Sequence, residues 1–235
     1  MAARGGVAGG DSFGGYRARL VEELRAKGIR DLAVLRAFGE VPRHLFVPDV
    51  LTHQAYEDTS LPIGHGQTIS QPSTQAAYLQ ALGLTGRERV LEVGTGSGYQ
   101  AALLAQLAAE VVTLERVHGL ARLAKGALAV AGVRNVLVIT GDGTIGWRPL
   151  APYDAVVVAA AGPTVPQPLL NQLADGGRLV APVSIGGAQT LIRLSRRGDT
   201  FDREELGPAQ FVPLIGQHGF TPPPADRPGG QGPDR

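Results

Sequence analysis

Along this chain, apolar residues first recur at helical spacing and then gather into short, nearly continuous runs. Leu20 and Leu24 lie on one helical face within Tyr16 to Lys27, a segment that stops at Gly28 and predicts a helix. Asp31 is placed to cap a second short helix, which runs through Leu35 and Phe38 and ends before Pro42. Tyr56 to Ser70 is polar and rich in turn residues, and Ser73 to Leu82 reads as a helix packed through Ala77, Leu79 and Leu82. From Arg89 the alternation becomes regular. Val90 to Val93 predicts a strand, followed by a Gly-rich turn and a helix from Tyr99 to Ala108. Val111 to Leu114 is the next strand, followed by a helix from Val117 to Ala131. Strands at Val136–Ile139 and Ala155–Val158 come next, then a helix from Pro168 to Leu173 and a strand at Arg178–Ala181.

Short apolar strands separated by helices imply a parallel sheet covered on both faces. The predicted class is α/β, a Rossmann-like, doubly wound and mostly parallel sheet preceded by N-terminal helices. After Pro182, Thr190 to Leu194 and Phe211 to Leu214 read as strands joined without a helix, which predicts an antiparallel edge. One domain is expected over 15–220. It divides into N-terminal helices and an active-site loop (15–88), a cofactor-binding core (89–182) and C-terminal strands (183–220). Residues 1–14 and 221–235, poor in core-forming side chains, read as flexible tails.

Composition narrows this picture in a few places. With 43% apolar and 18% charged residues over 235 positions, the chain is of the core-forming type. It has no cysteine, which excludes disulfides, thiolate nucleophiles and Cys-type zinc sites. Net charge is +1 and the basic residues are scattered, so no nucleic-acid partner is expected. The histidines, His44, His53, His65, His118 and His218, form no ligand spacing, and no metal site is expected. The N-terminal stretch lacks the apolar core of a signal peptide, and the most apolar run, Ala155 to Ala161, is far below the ~20 residues of a membrane span. The expectation is a monomeric cytoplasmic protein without a membrane partner.

The candidate chemistry starts at Gly94-Thr95-Gly96-Ser97-Gly98, where the first regular strand turns into its helix. In a doubly wound sheet, ligands bind at this end of the strands, and glycines let the backbone pass close beneath them. Two details separate a dinucleotide from S-adenosyl-L-methionine. The dinucleotide fingerprint needs a small residue where this chain has Tyr99. A carboxylate at Glu92 would repel a pyrophosphate but suits a ligand with an ammonium group. Glu115, ending the second strand, is placed for ribose hydroxyls, a role shared by both cofactor types. Asp142, in Gly141-Asp142-Gly143, is placed to accept from an adenine amino group.

Outside the loop, the segment Tyr56-Glu57-Asp58-Thr59-Ser60-Leu61-Pro62-Ile63-Gly64-His65-Gly66-Gln67-Thr68-Ile69-Ser70-Gln71-Pro72 resembles the protein-L-isoaspartate O-methyltransferases. Val41 to Val47, Leu91 to Tyr99, Gly141 to Thr144, Ala151 to Asp154, Gly176 to Leu179 and Phe211 to Leu214 extend the resemblance in order over roughly 16 to 220. The chain departs from the usual pattern at Ser73-Thr74-Gln75 and at Ala159-Ala160-Ala161. The resemblance implies a class I methyltransferase fold and methyl transfer from S-adenosyl-L-methionine, leaving S-adenosyl-L-homocysteine. The acceptor it implies is the free α-carboxylate of isoaspartyl residues in age-damaged proteins and peptides. The ester then collapses to a succinimide, part of which hydrolyses to aspartate.

Such a carboxylate, with a pKa near ~4, is already ionised at neutral pH, so hydroxyls suffice at the acceptor. By resemblance Ser70 and Thr68 orient it, Ile69 and Gly143 join the cofactor site, and Val212 lines the peptide groove, while Tyr56 and Asp58 either shape the substrate cleft or lock its loop. The competing readings are a methyltransferase with a small-molecule acceptor, a non-catalytic cofactor-binding protein, and a nicotinamide-dependent oxidoreductase. Retention of Thr68 and Ser70 counts against the second, and Tyr99 with Glu92 against the third.

Overall fold

The computed structural model describes residues 12–221. The expected tails therefore lie mostly outside the described residues. Two helices open the chain, α1 (Gly14–Ala26) and α2 (Leu32–Glu40). Asp31 caps α2 as its spacing suggests, accepting from the Ala33 and Val34 amides at 2.8 and 3.2 Å. Instead of a plain loop, the turn-rich segment then forms a hairpin, β1 (Leu61–Gly64) paired with β2 (Gln67–Ile69). Helix α3 (Pro72–Leu82) follows, with Pro72 at its first turn, where no amide is needed, and left-handed Gly83 at its end.

The core sheet comprises β3 (Arg89–Val93), β4 (Glu110–Glu115), β5 (Val136–Thr140), β6 (Tyr153–Val158), β7 (Leu173–Ile185), β8 (Ala188–Arg197) and β9 (Thr200–Pro208). Helices α4 (Tyr99–Leu107), α5 (His118–Val130) and α6 (Gln167–Asn171) connect the parallel strands. The spatial order is β5-β4-β3-β6-β7-β8-β9. Strands β3 to β7 pair in parallel, whereas β7–β8 and β8–β9 pair antiparallel, which is the expected mixed edge. That edge is formed by β9, a strand not anticipated, rather than by Phe211 to Leu214. The latter segment contributes only an isolated bridge from Pro213 to Ala161.

Alternation along the strands fills two cores. Val90, Val111, Ala155 and Val157 face one side, with α3 and α4. Leu91, Val93, Val112, Val156 and Val158 face the other. From β3 the chain winds outward through β4 to β5, then returns to β6 on the opposite flank of β3. The crevice beyond the carboxyl ends of β3 and β6 is therefore the topological switch point, where open α/β sheets bind ligands.

Candidate active site

At that crevice β3 gives way to the glycine loop. Gly94 has φ +98, and a Cβ there would meet the Ala159 Cβ at 3.4 Å, so the loop runs tight against the end of β6. The Gly94 and Thr95 amides donate to the Leu114 carbonyl at 2.8 and 3.2 Å, which ties the loop to β4. The hairpin closes over the loop from the other side. Ile63 Cδ1 lies 3.4 Å from where a Gly96 Cβ would be, and Ile69 is buried.

The resulting cleft holds about 750 Å³ of empty space, its open mouth included. Gly94, Thr95, Gly96, Ser97, Glu115, Gly143, Thr68, Ile69, Ser70 and Val212 line it together, so the structure gathers most of the sequence-predicted residues in one place. Glu115 accepts from the Gly96 amide through Oε2 and from the Val117 amide through Oε1, both at 2.9 Å. These two bonds fix its carboxylate at the cleft wall. A glycine-floored cleft with a carboxylate held on its rim fits a nucleoside-bearing cofactor.

Other expected residues stand elsewhere, each for a physical reason. Glu92 does not line the cleft. It is fully buried behind the loop, where its Oε2 accepts from Thr113 Oγ1 at 2.5 Å and Thr113 Oγ1 meets Thr95 Oγ1 at 2.6 Å. Burial outweighs the Thr113 hydrogen bond and, with the Glu115 charge nearby, raises its pKa to about 8. The expectation of a carboxylate facing an ammonium group is thus replaced by a neutral acid under the loop. Gly98, with φ +88, serves as the N-cap of α4 rather than as lining.

Asp142 is also away from the lining. Its Oδ1 accepts from the Thr144 amide and hydroxyl, and its Oδ2 from the Gln217 amide, which pins the segment around Gln217 beside β5. Tyr56 is buried against His44, whose Nδ1 lies 2.7 Å from the phenol, and does not line the cleft. Asp58 accepts from the Ser73 amide and Gln71 Nε2 and pairs with Lys27, which locks the entrance to α3. Burial works against its ionised form, but those donors prevail and hold it below the usual carboxylate range.

A second groove adjoins the cleft. Thr68, Ser70 and Val212 belong to both cavities, and the groove continues over Ser60, Gln71, Ser73, Thr74, Leu206 and Phe211. Gln75, Gln100, Arg116 and Ile215 also line the cleft and were not anticipated. Gln100 alone carried a sequence signal, as one of two glutamines in the mostly apolar helix α4. It accepts a short hydrogen bond from the buried Tyr78 hydroxyl, whose other polar neighbours include Ser70 and Gln75 and the ionisable groups of Glu92 and Arg43.

Similar proteins match this arrangement over nearly the whole described chain. A protein-L-isoaspartate O-methyltransferase 1 of Rhodopseudomonas palustris is 54% identical over 224 residues, covering 92% of this chain and 91% of its own. A protein-L-isoaspartate O-methyltransferase of Methanoculleus marisnigri is 54% identical over 205 residues, covering 87% and 93%. A solved protein-L-isoaspartate O-methyltransferase superposes with a TM-score of 0.79 at 29% identity, covering 86% of this chain and 67% of that one. A Plasmodium falciparum structure described as a putative member in complex with S-adenosyl-L-homocysteine superposes with a TM-score of 0.75 at 24% identity, covering 85% and 98%, and speaks for the fold. The family model for protein-L-isoaspartate(D-aspartate) O-methyltransferase matches residues 16–219, and the chain belongs to that family.

Proposed function

We propose that this enzyme repairs damaged proteins by methylating the free α-carboxylate of isoaspartyl residues, with Thr68 and Ser70 orienting the acceptor. The observation that carries the reading is the junction: Thr68, Ser70 and Val212 are shared by the cofactor cleft and the neighbouring groove. An acceptor in the groove meets a cofactor in the cleft only there. The groove is open enough for an extended peptide, and its walls present hydroxyls and amides beside apolar surface.

When bound, S-adenosyl-L-methionine supplies a methyl on cationic sulfur, and displacement joins that methyl to a carboxylate oxygen as the sulfur keeps the bonding electron pair, with no proton moved. Gly94, Thr95, Gly96, Ser97, Glu115, Ile69 and Gly143 would hold it, Glu115 taking the ribose hydroxyls. Glu92, Gly98 and Asp142 shape that site from behind. Thr68 and Ser70 donate hydrogen bonds to the acceptor and aim one oxygen along the line of displacement, which is catalysis by positioning. The hairpin β1–β2 covers the cleft and excludes water, while Asp58 and Tyr56 fix the loop that carries it.

The reading places a single-domain monomer in the cytoplasm. Its charged edge strand, with Asp202, Arg203, Glu204 and Glu205 on β9, discourages pairing with another sheet. No described helix is long and apolar enough to cross a membrane. Incubating an isoaspartyl peptide with enzyme and cofactor, then separating products by chromatography, tests the reading. Succinimide and normal aspartyl peptide should accumulate; an unchanged peptide in the presence of bound cofactor would remove the repair function.

A further inference from the structure

Beneath the junction lies a charge that no step above uses. Arg43, on the 3-10 turn Arg43–Phe46, is 0% exposed. Its Nη1 donates to the Ser70 carbonyl at 3.2 Å and to Gln75 Oε1 at 3.3 Å, and its Nη2 donates to the Thr59 carbonyl at 3.2 Å. The guanidinium carbon lies 4.9 Å from the centroid of the buried Tyr99 ring. All of these partners are neutral, and Arg43 forms no ion pair among the described residues. The carboxylate that acts on it from a distance, Asp58, is already taken by Lys27, Ser73 and Gln71.

Arginine remains protonated when buried, and a buried cation without a counter-ion is costly. A structure that keeps one positions it for something. The groove itself holds no Lys, Arg or His in its lining; its polar groups are Ser60, Thr68, Ser70, Gln71, Ser73, Thr74 and Gln210. Its acceptor, in the reading above, is an anion. A lysine in the wall would pair with the carboxylate directly and occupy the lone pair that must attack. A guanidinium one peptide group away stabilises the charge and leaves the oxygen free.

We propose that Arg43 is the counter-charge of the acceptor carboxylate, acting through the Ser70 peptide group to select an ionised acceptor over a neutral one. Its hydrogen bonds also hold Thr59, Ser70 and Gln75 together, so it is a positioning residue and touches no reacting atom. The inference rests on the isoaspartyl reading. Across one peptide group, an opposite charge lowers a carboxyl pKa by about one pH unit. The other titratable groups around Arg43 are Tyr56, Tyr78, Tyr99 and Asp58, with Lys27 beyond Asp58 and Glu92 beyond Tyr78. Burial raises Tyr78, Tyr99 and Glu92, which keeps them neutral in acid.

The test reads the acceptor directly. An isoaspartyl peptide labelled with carbon-13 at its α-carboxyl is titrated by NMR, free and bound to the enzyme–S-adenosyl-L-homocysteine complex, whose sulfur is neutral. The comparison uses wild type, Arg43→Lys and Arg43→Gln. The bound carboxyl should titrate about one pH unit below the free peptide in wild type and in Arg43→Lys, and return by about that amount in Arg43→Gln. The preference for the isoaspartyl peptide over its matching α-carboxamide should hold in Arg43→Lys and fall in Arg43→Gln, a ratio that cancels any loosening of Ser70 common to both ligands. A wild-type value at or above that of the free peptide, or an equal lowering in Arg43→Gln, overturns the proposal. Should both variants fail to bind S-adenosyl-L-homocysteine, the wild-type titration decides alone. Wild-type transfer to the isoaspartyl peptide, run in parallel, separates failure of this inference from failure of the underlying reading.

Discussion

Replacing Glu92 by Gln tests how the floor of the cofactor loop is built. The carboxyl is fully buried, with one oxygen on Thr113 Oγ1 and Oε1 lacking a partner among the described residues. Burial raises its pKa from 4.5 to about 8. The folded chain therefore holds a proton that the unfolded chain releases as pH rises above 4.5. The stability this gives is complete below the unfolded pKa, and it declines until pH passes the folded value near 8. The slope is a little over 1 kcal/mol per pH unit, or on the order of 5 kcal/mol across the window. Glutamine has the same shape, keeps an oxygen for Thr113 and cannot ionise.

Chemical denaturation of both proteins without cofactor, at steps from about pH 5 to about pH 8, measures the effect. Glu92→Gln should lie close to wild type in acid and become progressively more stable than wild type as pH rises. Parallel stability curves would mean instead that Glu92 is ionised in the folded state throughout.

Three further perturbations follow from the same geometry. Ser70→Ala should lower kcat by roughly 10- to 100-fold, the worth of one hydrogen bond to a charged group, while calorimetry shows S-adenosyl-L-homocysteine affinity nearly unchanged. An equal fall in both would assign Ser70 to the cofactor or the fold. Gly143→Ala drives a methyl to within 2.5 Å of Val93 Cγ1 at the cleft floor, so thermal melting should show a loss of roughly 1–3 kcal/mol together with weaker cofactor binding. Asp58→Asn removes a carboxyl held below its usual range, whose contribution is present above its unfolded pKa of 3.8 and lost as pH falls through the folded value. The gap in melting temperature between wild type and Asp58→Asn should therefore narrow on acidification; a constant gap would show that charge at Asp58 is not what holds the loop.

Much of the sheet was legible because β3, β4, β5 and β6 are short apolar runs flanked by turn residues. Strand β9 was not, since Asp202, Arg203, Glu204 and Glu205 give it no apolar face to read. The hairpin β1–β2 escaped because Pro62, Gly64 and Gly66 mark a turn, whereas pairing between Leu61 and Ile69 depends on contacts that no local pattern encodes. The early part of β7 carries Asp175-Gly176-Gly177, which reads as a break until Arg178 pairs with Ala155.

At the cleft, the glycine loop and Thr68 to Ser70 could be read as neighbours of one cavity because they sit in contiguous stretches. Glu92 was placed correctly on its strand but assigned to the wrong environment, because a strand-end position does not reveal whether the side chain points into the cleft or beneath it. Arg43 lies within Val41 to Val47, one of the stretches that carry the resemblance, but nothing in that stretch marks its role. Its surroundings come from residues 59, 70, 75 and 99, brought together only by folding.

Delivery of a methyl group to an isoaspartyl carboxylate at the junction of Thr68, Ser70 and Val212 is the step on which the proposed repair function stands. It is tested most directly by methyl transfer from labelled S-adenosyl-L-methionine to a matched pair of peptides, one isoaspartyl and one aspartyl. Base-labile label on the isoaspartyl peptide alone is the predicted result. Equal labelling of the pair, or none on either while the cofactor binds, would contradict it.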